Sequence, residues 1–225
     1  MSNVNKVNKN YKAVIFDMDG VLVDTERYYM KHWKKFFASV GFTPNLVTEK
    51  DIFGGQARQV LMKLMPTYSE EEYQKLRGQW KAYFANVHAP VKELLFPEVK
   101  PTLEFLKNAG YKIALASSST YEEIENVLTT NEIEHYFDEI LSGEDFKQSK
   151  PNPEIYQTAM KQLKVEPTET LIIEDSKIGI EAGKASGATV WAIEYKDIDI
   201  DQSEADLLID NLSEVSKNLS LSCKM

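Results

Sequence analysis

The chain has 225 residues, 43% hydrophobic and 27% charged, with a formal net charge of -9 at pH 7. That length suffices for one good-sized core plus a small accessory domain, and the negative balance repels nucleic-acid backbones, so no DNA or RNA partner is expected. The lone cysteine, Cys223, excludes an internal disulfide and a metal–thiolate cluster.

The chain opens on a polar stretch, residues 1–12, without the apolar segment of a signal peptide, and no run reaches the length of a membrane span. A cytoplasmic monomer with no membrane partner is expected, residues 1–10 being a disordered tail. Ala13–Phe16 is then a short apolar run, read as a buried parallel strand. Residues 26–90 carry helical patterns at Tyr28–Ser39, Ala57–Met65 and Glu70–Phe84 and no strand, so they read as an all-helical inserted domain returning through the loop Ala89–Pro97. From there helices and strands alternate. Helix Pro101–Asn108 stops at Gly110; strand Lys112–Ala116 leads through a Ser/Thr cluster to helix Tyr121–Thr130. Strand Glu139–Leu141, helix Pro153–Leu163 and strands Leu171–Ile173 and Thr189–Ile193 follow. Leu207–Ile209 reads as a last edge strand before a C-terminal helix. The expected fold is α/β: a doubly wound, Rossmann-like parallel sheet built from residues 11–25 and 91–225, with sites at the carboxyl ends of its strands.

The strongest local signal is Asp17-Met18-Asp19-Gly20, directly after the first strand. Two carboxylates there share one loop at the end of a buried strand, where ligands bind in such sheets. A calcium loop of the EF-hand type also begins Asp-x-Asp, but it requires Gly at its sixth position and Glu at its twelfth. Those positions hold Leu22 and Tyr28, which excludes it.

Asp17–Glu26, DMDGVLVDTE, resembles the first motif of the haloacid dehalogenase-like superfamily, and is most similar to the branch of β-phosphoglucomutases and small phosphatases. Three further motifs match in order: Ser117 in KIALASSS, Lys150 in SKPNPEIY, and Glu174-Asp175 in LIIEDSKIGIEAGKASG. Any one is weak; four in order are specific. The resemblance implies a helical cap between the first and second motifs and a magnesium-dependent phosphoryl transfer. Asp17 would be the nucleophile and Asp19 the general acid and base. Magnesium would be held by Asp17, Asp175 and the backbone carbonyl of Asp19, with Glu174 behind or through water. Lys150, Ser117 and Ser118 would meet the phosphate. The chemistry is consistent with those roles: magnesium prefers oxygen ligands, a lysine supplies a compact positive charge, and a carboxylate can form a covalent intermediate.

Other candidates have plainer readings. Ser117 could cap the helix that begins near Thr120. Asp24 reads as a loop residue, Thr25 as the start of the first linker and Asn152 as a turn residue. Trp33, Phe36 and Phe37 fall at helical spacing and read as cap core. The three histidines, His32, His88 and His135, lack metal-ligand spacing. Gly54-Gly55-Gln56-Ala57-Arg58 resembles the cap loop that faces the active site, where Arg58 would bind a distal anionic group; a solvent-exposed arginine at a helix start is the alternative. Mutases of the branch carry a histidine at the position of Tyr29, so the expected activity is hydrolysis of a small phosphorylated metabolite, a sugar or polyol phosphate. The alternative is a sugar phosphomutase. A phospho-acceptor signalling domain fits less well, being about half this length and uncapped.

Overall fold

The structure, a computed structural model, describes residues 10–42, 52 and 57–222. Most of the expected tail, the loop residues Gly54, Gly55 and Gln56, and Cys223 lie outside the described residues. Six strands form one parallel sheet in the order β3-β2-β1-β4-β5-β6. They are β1 (Ala13–Phe16), β2 (Lys112–Ser117), β3 (Glu139–Ser142), β4 (Thr170–Glu174), β5 (Thr189–Ile193) and β6 (Leu207–Ile209). Chain order leaves β1 in both directions, so β1 and β4 flank the point where the winding reverses and a crevice opens at the strands' carboxyl ends.

Alternation along β1 explains why both faces are covered. Val14 and Phe16 enter one apolar layer with Leu103, Leu106, Val127 and Val215. Ala13 and Ile15 enter the other with Ile155, Tyr156, Ile180 and Val190. Helices α4 (Val99–Asn108), α5 (Tyr121–Thr130) and α8 (Ser213–Ser222) supply the first layer, and α6 (Glu154–Leu163) and α7 (Lys177–Ala185) the second. Each fully buried Ile or Phe contributes roughly 1.5–3 kcal/mol. Gly183 lets α7 lie close on the sheet, because a Cβ there would come within 2.7 Å of Val190 Cγ2.

Helices α1 (Thr25–Ser39), α2 (Ala57–Leu64) and α3 (Glu70–Phe84) follow β1 and gather a separate apolar cluster. Trp33, Phe36 and Phe37 are buried in it, Trp33 stacking on Phe37 at 5.4 Å between ring centroids. Ser69 starts α3 with a reciprocal capping box to Glu72. The two crossings between sheet and helices run side by side: Phe96 N–H donates to the Leu22 carbonyl at 3.0 Å and Asp24 N–H to the Leu94 carbonyl at 2.9 Å.

The sequence reading and the structure differ at element ends. Helix α1 begins at Thr25 rather than Tyr28, and α4 at Val99, with Pro101 in the first turn where a missing N–H costs nothing. Strands β2, β3 and β4 each run further than the apolar pattern, taking in Ser117, Ser142 and Glu174 as buried polar strand residues. Among the described residues no helix is long and apolar enough to cross a membrane.

Candidate active site

Strand register sets the site. Phe16, the last residue of β1, pairs with Leu115 on one side and Ile173 on the other, while β2 and β4 run on to Ser117 and Glu174. Asp17 then leaves β1 between Ala116-Ser117 and Glu174-Asp175, its N–H still bonded to the Ile173 carbonyl at 3.0 Å. Gly20 turns the loop back with φ +75, and a Cβ there would overlap the Asp175 carboxylate.

Lys150 reaches this edge from the loop before α6. Its ammonium donates to Asp17 Oδ1 at 2.6 Å, Glu174 Oε1 at 2.8 Å and the Ala116 carbonyl at 3.0 Å. Burial alone would push the lysine toward its neutral form; the Asp17 and Glu174 carboxylates outweigh it and raise its pKa above the ordinary range. Burial pushes the Asp17 carboxyl up to about 7, against the pull of Lys150.

Glu174 is held on every side. Tyr156 donates to Oε1 at 2.6 Å, while the Asp175 and Ser176 N–H groups and the Ser176 hydroxyl donate to Oε2 at 3.0–3.2 Å. Gly179, in the first turn of α7, leaves room for that carboxylate, which a Cβ would overlap. Asp175 beside it accepts from the Tyr195 hydroxyl at Oδ2, 3.1 Å.

Asp19 points elsewhere, toward a cavity of about 630 Å³ between the sheet edge and the helical unit, lined also by Tyr29, Val87, Glu122 and Asn126. The Thr25 hydroxyl donates to its Oδ1, and the Ser119 hydroxyl to Oδ2 at 2.8 Å. Burial raises its pKa, with the two hydroxyls opposing.

Of the serine cluster, Ser117 is fully buried at the end of β2 and its Oγ accepts from the Ser119 N–H at 3.0 Å. It does not cap α5; Thr120 does so, in a capping box with Glu123. Ser118 is exposed, and Ser119 is the serine that touches Asp19.

Several candidates stand apart. Arg58 is exposed in the first turn of α2 and does not line the cavity at Asp19. Tyr29 does line it, as does His88. His32 packs on Tyr28 at 4.8 Å and His135 on Tyr136 at 4.1 Å. Asn152 serves its turn, accepting from the Glu154 N–H at 2.9 Å. Thr25, Ser119, Tyr156 and Tyr195 are contacts that sequence reasoning missed; only the run of hydroxyls at 117–120 hinted at one of them.

Charge decides whether a cation fits. Asp17, Glu174 and Asp175 are 8%, 0% and 1% exposed, and each offers an oxygen within 4.8 Å of the others'. The ammonium of Lys150, 4% exposed, answers one of these three charges. Ionising all three would leave two negative charges in a buried all-oxygen donor set, which suits a hard divalent ion. Glu174 has both oxygens committed to hydrogen bonds, so Asp17 and Asp175 are the carboxylates best able to ligate. The arrangement joins a buried carboxylate, a fixed ammonium and a group of oxygens able to hold a cation, with a second carboxylate facing a cavity.

Known proteins resemble this chain in sequence and in fold. A sequence profile of haloacid dehalogenase-like hydrolases matches residues 14–193. A phosphorylated carbohydrates phosphatase of Thermotoga maritima is 37% identical over 184 residues, which is 78% of this chain and 82% of that protein. A phosphoglycolate phosphatase of Vibrio vulnificus is 30% identical over 220 residues, 91% of this chain and 94% of that one. The crystal structure of a β-phosphoglucomutase from Clostridium difficile matches with a TM-score of 0.72 over 96% of this chain and 100% of that chain; at 24% identity it speaks for the fold alone. With most of its length matched and the motif positions Asp17, Ser117, Lys150 and Glu174-Asp175 at one sheet edge, the chain belongs to the haloacid dehalogenase-like hydrolases and is an enzyme of that family.

Proposed function

We propose that this hydrolase is a magnesium-dependent phosphatase acting on small phosphorylated metabolites, sugar or polyol phosphates, through a phosphorylated Asp17. The observation that carries the proposal is the buried group in which Lys150 holds Asp17 Oδ1 at 2.6 Å and Glu174 Oε1 at 2.8 Å beside the Asp175 carboxyl. A phosphate monoester dianion repels an attacking anion, so its charge must be neutralised and the nucleophile aligned. Asp17 and Asp175, with the Asp19 carbonyl as the resemblance implies, would hold Mg2+, with Glu174 behind them. The ion would draw the phosphate in and offset its negative charge.

The chain's own residues perform the transfer. A carboxylate oxygen of Asp17 attacks phosphorus in line, and the bond from phosphorus to the substrate oxygen breaks. Asp19 gives that oxygen its proton, and the alcohol leaves. Asp19 then takes a proton from water as the water oxygen attacks the phosphorus of the aspartyl phosphate. The bond to Asp17 breaks, and inorganic phosphate is released with Asp17 regenerated as a carboxylate and Asp19 as the acid. Lys150 remains protonated throughout and shares its charge between Asp17 and the transferring group. The Ser117 hydroxyl and nearby backbone N–H groups are the donors for the remaining phosphoryl oxygens.

Residues 26–90 form the cap of this reading, and residues 11–25 and 91–225 the catalytic core. The separate aromatic cluster of α1–α3 supports that division. The cavity at Asp19, bounded by both units, would take the leaving group. Tyr29 stands there where a mutase of the branch has histidine, which favours hydrolysis over return of the phosphoryl group to the sugar.

Phosphorus NMR of the purified protein with magnesium and a panel of sugar phosphates, including β-glucose 1-phosphate with its bisphosphate activator, tests the proposal. Growth of inorganic phosphate is expected. Conversion to glucose 6-phosphate without phosphate release would make the enzyme a mutase.

A further inference from the structure

Residues 194–202 leave β5 and run between the sheet edge and the helical unit. Tyr195 sits at the junction. Its hydroxyl lies 3.1 Å from Asp175 Oδ2 and 3.5 Å from the Gly20 carbonyl. Its ring packs against the aromatic cluster of α1–α3, which Ile198 and Ile200 also join from the same segment. The Arg27 guanidinium, from the first turn of α1, lies 5.6 Å from the ring centroid. Arg27 is held there by two bonds to Asp197, at 2.5 and 2.7 Å. Further along, Gln202 Nε2 donates to the Asp175 carbonyl at 2.5 Å and to the Ile193 carbonyl at 2.8 Å. One short segment thus grips Asp175 by side chain and backbone while its other face carries the first helix of the cap.

We propose that Tyr195 is a positioning residue for the cation site: its hydroxyl orients the Asp175 carboxylate, and the Arg27–Asp197 pair seats its ring, so that the placement of α1 is transmitted to Asp175. The proposal rests on the reading of Asp17 and Asp175 as cation ligands. A carboxylate with one oxygen fixed by a donor presents the other in a defined direction, and such supporting hydrogen bonds set much of a site's metal affinity. Gly20 fits the same picture, since a Cβ there would come within 2.7 Å of the Tyr195 hydroxyl as well as overlapping Asp175.

Magnesium titration of the substrate-free chain by calorimetry tests this directly, and reads binding rather than turnover. Tyr195→Phe keeps the ring, its packing and the contact with Arg27, and removes only the hydroxyl. Its magnesium affinity is expected to fall about tenfold. Arg27→Gln leaves the hydroxyl in place and removes the cation over the ring, and an affinity loss of about threefold is expected; it carries the test should Tyr195→Phe fail to fold. A merely structural Tyr195 would lower the unfolding midpoint and leave magnesium affinity alone. Affinity within about twofold of wild type in Tyr195→Phe overturns the inference while leaving the cation site intact. A wild-type chain that takes up no magnesium would instead overturn the reading beneath it.

Discussion

Replacing Lys150 with methionine retains an unbranched apolar stem and removes the charge. The ammonium lies 2.6 Å from Asp17 Oδ1 and 2.8 Å from Glu174 Oε1, with both partners buried. Charge-assisted bonds of this kind contribute about 1.5–3 kcal/mol each. Removing one partner from a buried ion pair costs about 3–5 kcal/mol, because the remaining charge stays desolvated. Here two carboxylates lose their counterion, partly offset because no lysine need be desolvated. A loss of about 3–5 kcal/mol is therefore expected in the absence of a divalent cation, a large part of the ~5–15 kcal/mol that holds a domain together. Urea unfolding in the presence of a chelator measures it, with the midpoint falling and the slope unchanged. Magnesium should restore part of the loss in the variant, since its charge compensates the same carboxylates. Turnover should fall by at least about 10²-fold, from loss of a fixed charge at the transferring group. A destabilisation below about 1 kcal/mol would refute the idea that Lys150 balances this buried cluster.

Three further outcomes are expected. Asp19→Asn should slow alkyl phosphates far more than aryl phosphates, whose leaving groups need little protonation; equal losses for both would remove its acid role. Gly20→Ala combines a Cβ at φ +75 with displacement of Asp175, so about 1–2 kcal/mol of stability and most of the magnesium-dependent activity should be lost. Wild-type turnover by that variant would show that the loop has another way to close. Asp138 tests a contact away from the site. Burial raises its pKa, but the Lys107 ammonium at 2.7 Å and the Ile113 N–H at 2.8 Å outweigh it and leave the value lowered. Its stabilisation over Asp138→Asn, about 0.5–1 kcal/mol after solvent screening, should be full above pH ~5 and should fade as pH drops below ~4 through the lowered folded value. A gap that persists unchanged to pH 2 in acid-unfolding curves would contradict it.

The sheet was legible because its strands are buried on both faces, and Ala13–Phe16, Thr189–Ile193 and Leu207–Ile209 are found as the apolar runs predict. Strand ends were less legible. Ser117, Ser142 and Glu174 are polar residues paired into strands, which the apolar pattern excludes. The carboxylates and Lys150 stand out in sequence because each follows a strand or opens a turn in a recognisable motif. Their partners do not. Tyr156 lies in an ordinary amphipathic helix pattern, and only the packing of α6 on β1 and β2 aims its hydroxyl at Glu174. Tyr195 is 20 residues beyond Asp175 and meets it through the parallel crossover from β4 to β5. Which serine of Ser117–Ser119 reaches Asp19 depends on where β2 stops and the chain turns into α5, a boundary that periodicity resolves only to within a residue or two. Arg58 shows the converse. Its motif likeness suggests a substrate contact, while its side chain is exposed on α2 and is not in the lining of the cavity at Asp19.

The central claim is that phosphorus passes through Asp17, and a rapid-quench experiment tests it most directly. Wild-type protein is mixed with magnesium and a radiolabelled phosphoryl substrate, stopped in acid within the first turnover, and digested. Label should appear transiently on the peptide containing Asp17 and decay as inorganic phosphate accumulates; Asp17→Asn should fold, carry no label and release less than about a hundredth of the wild-type phosphate. Phosphate release with no labelled peptide at any time, or an Asp17→Asn variant that still turns over, would contradict the account.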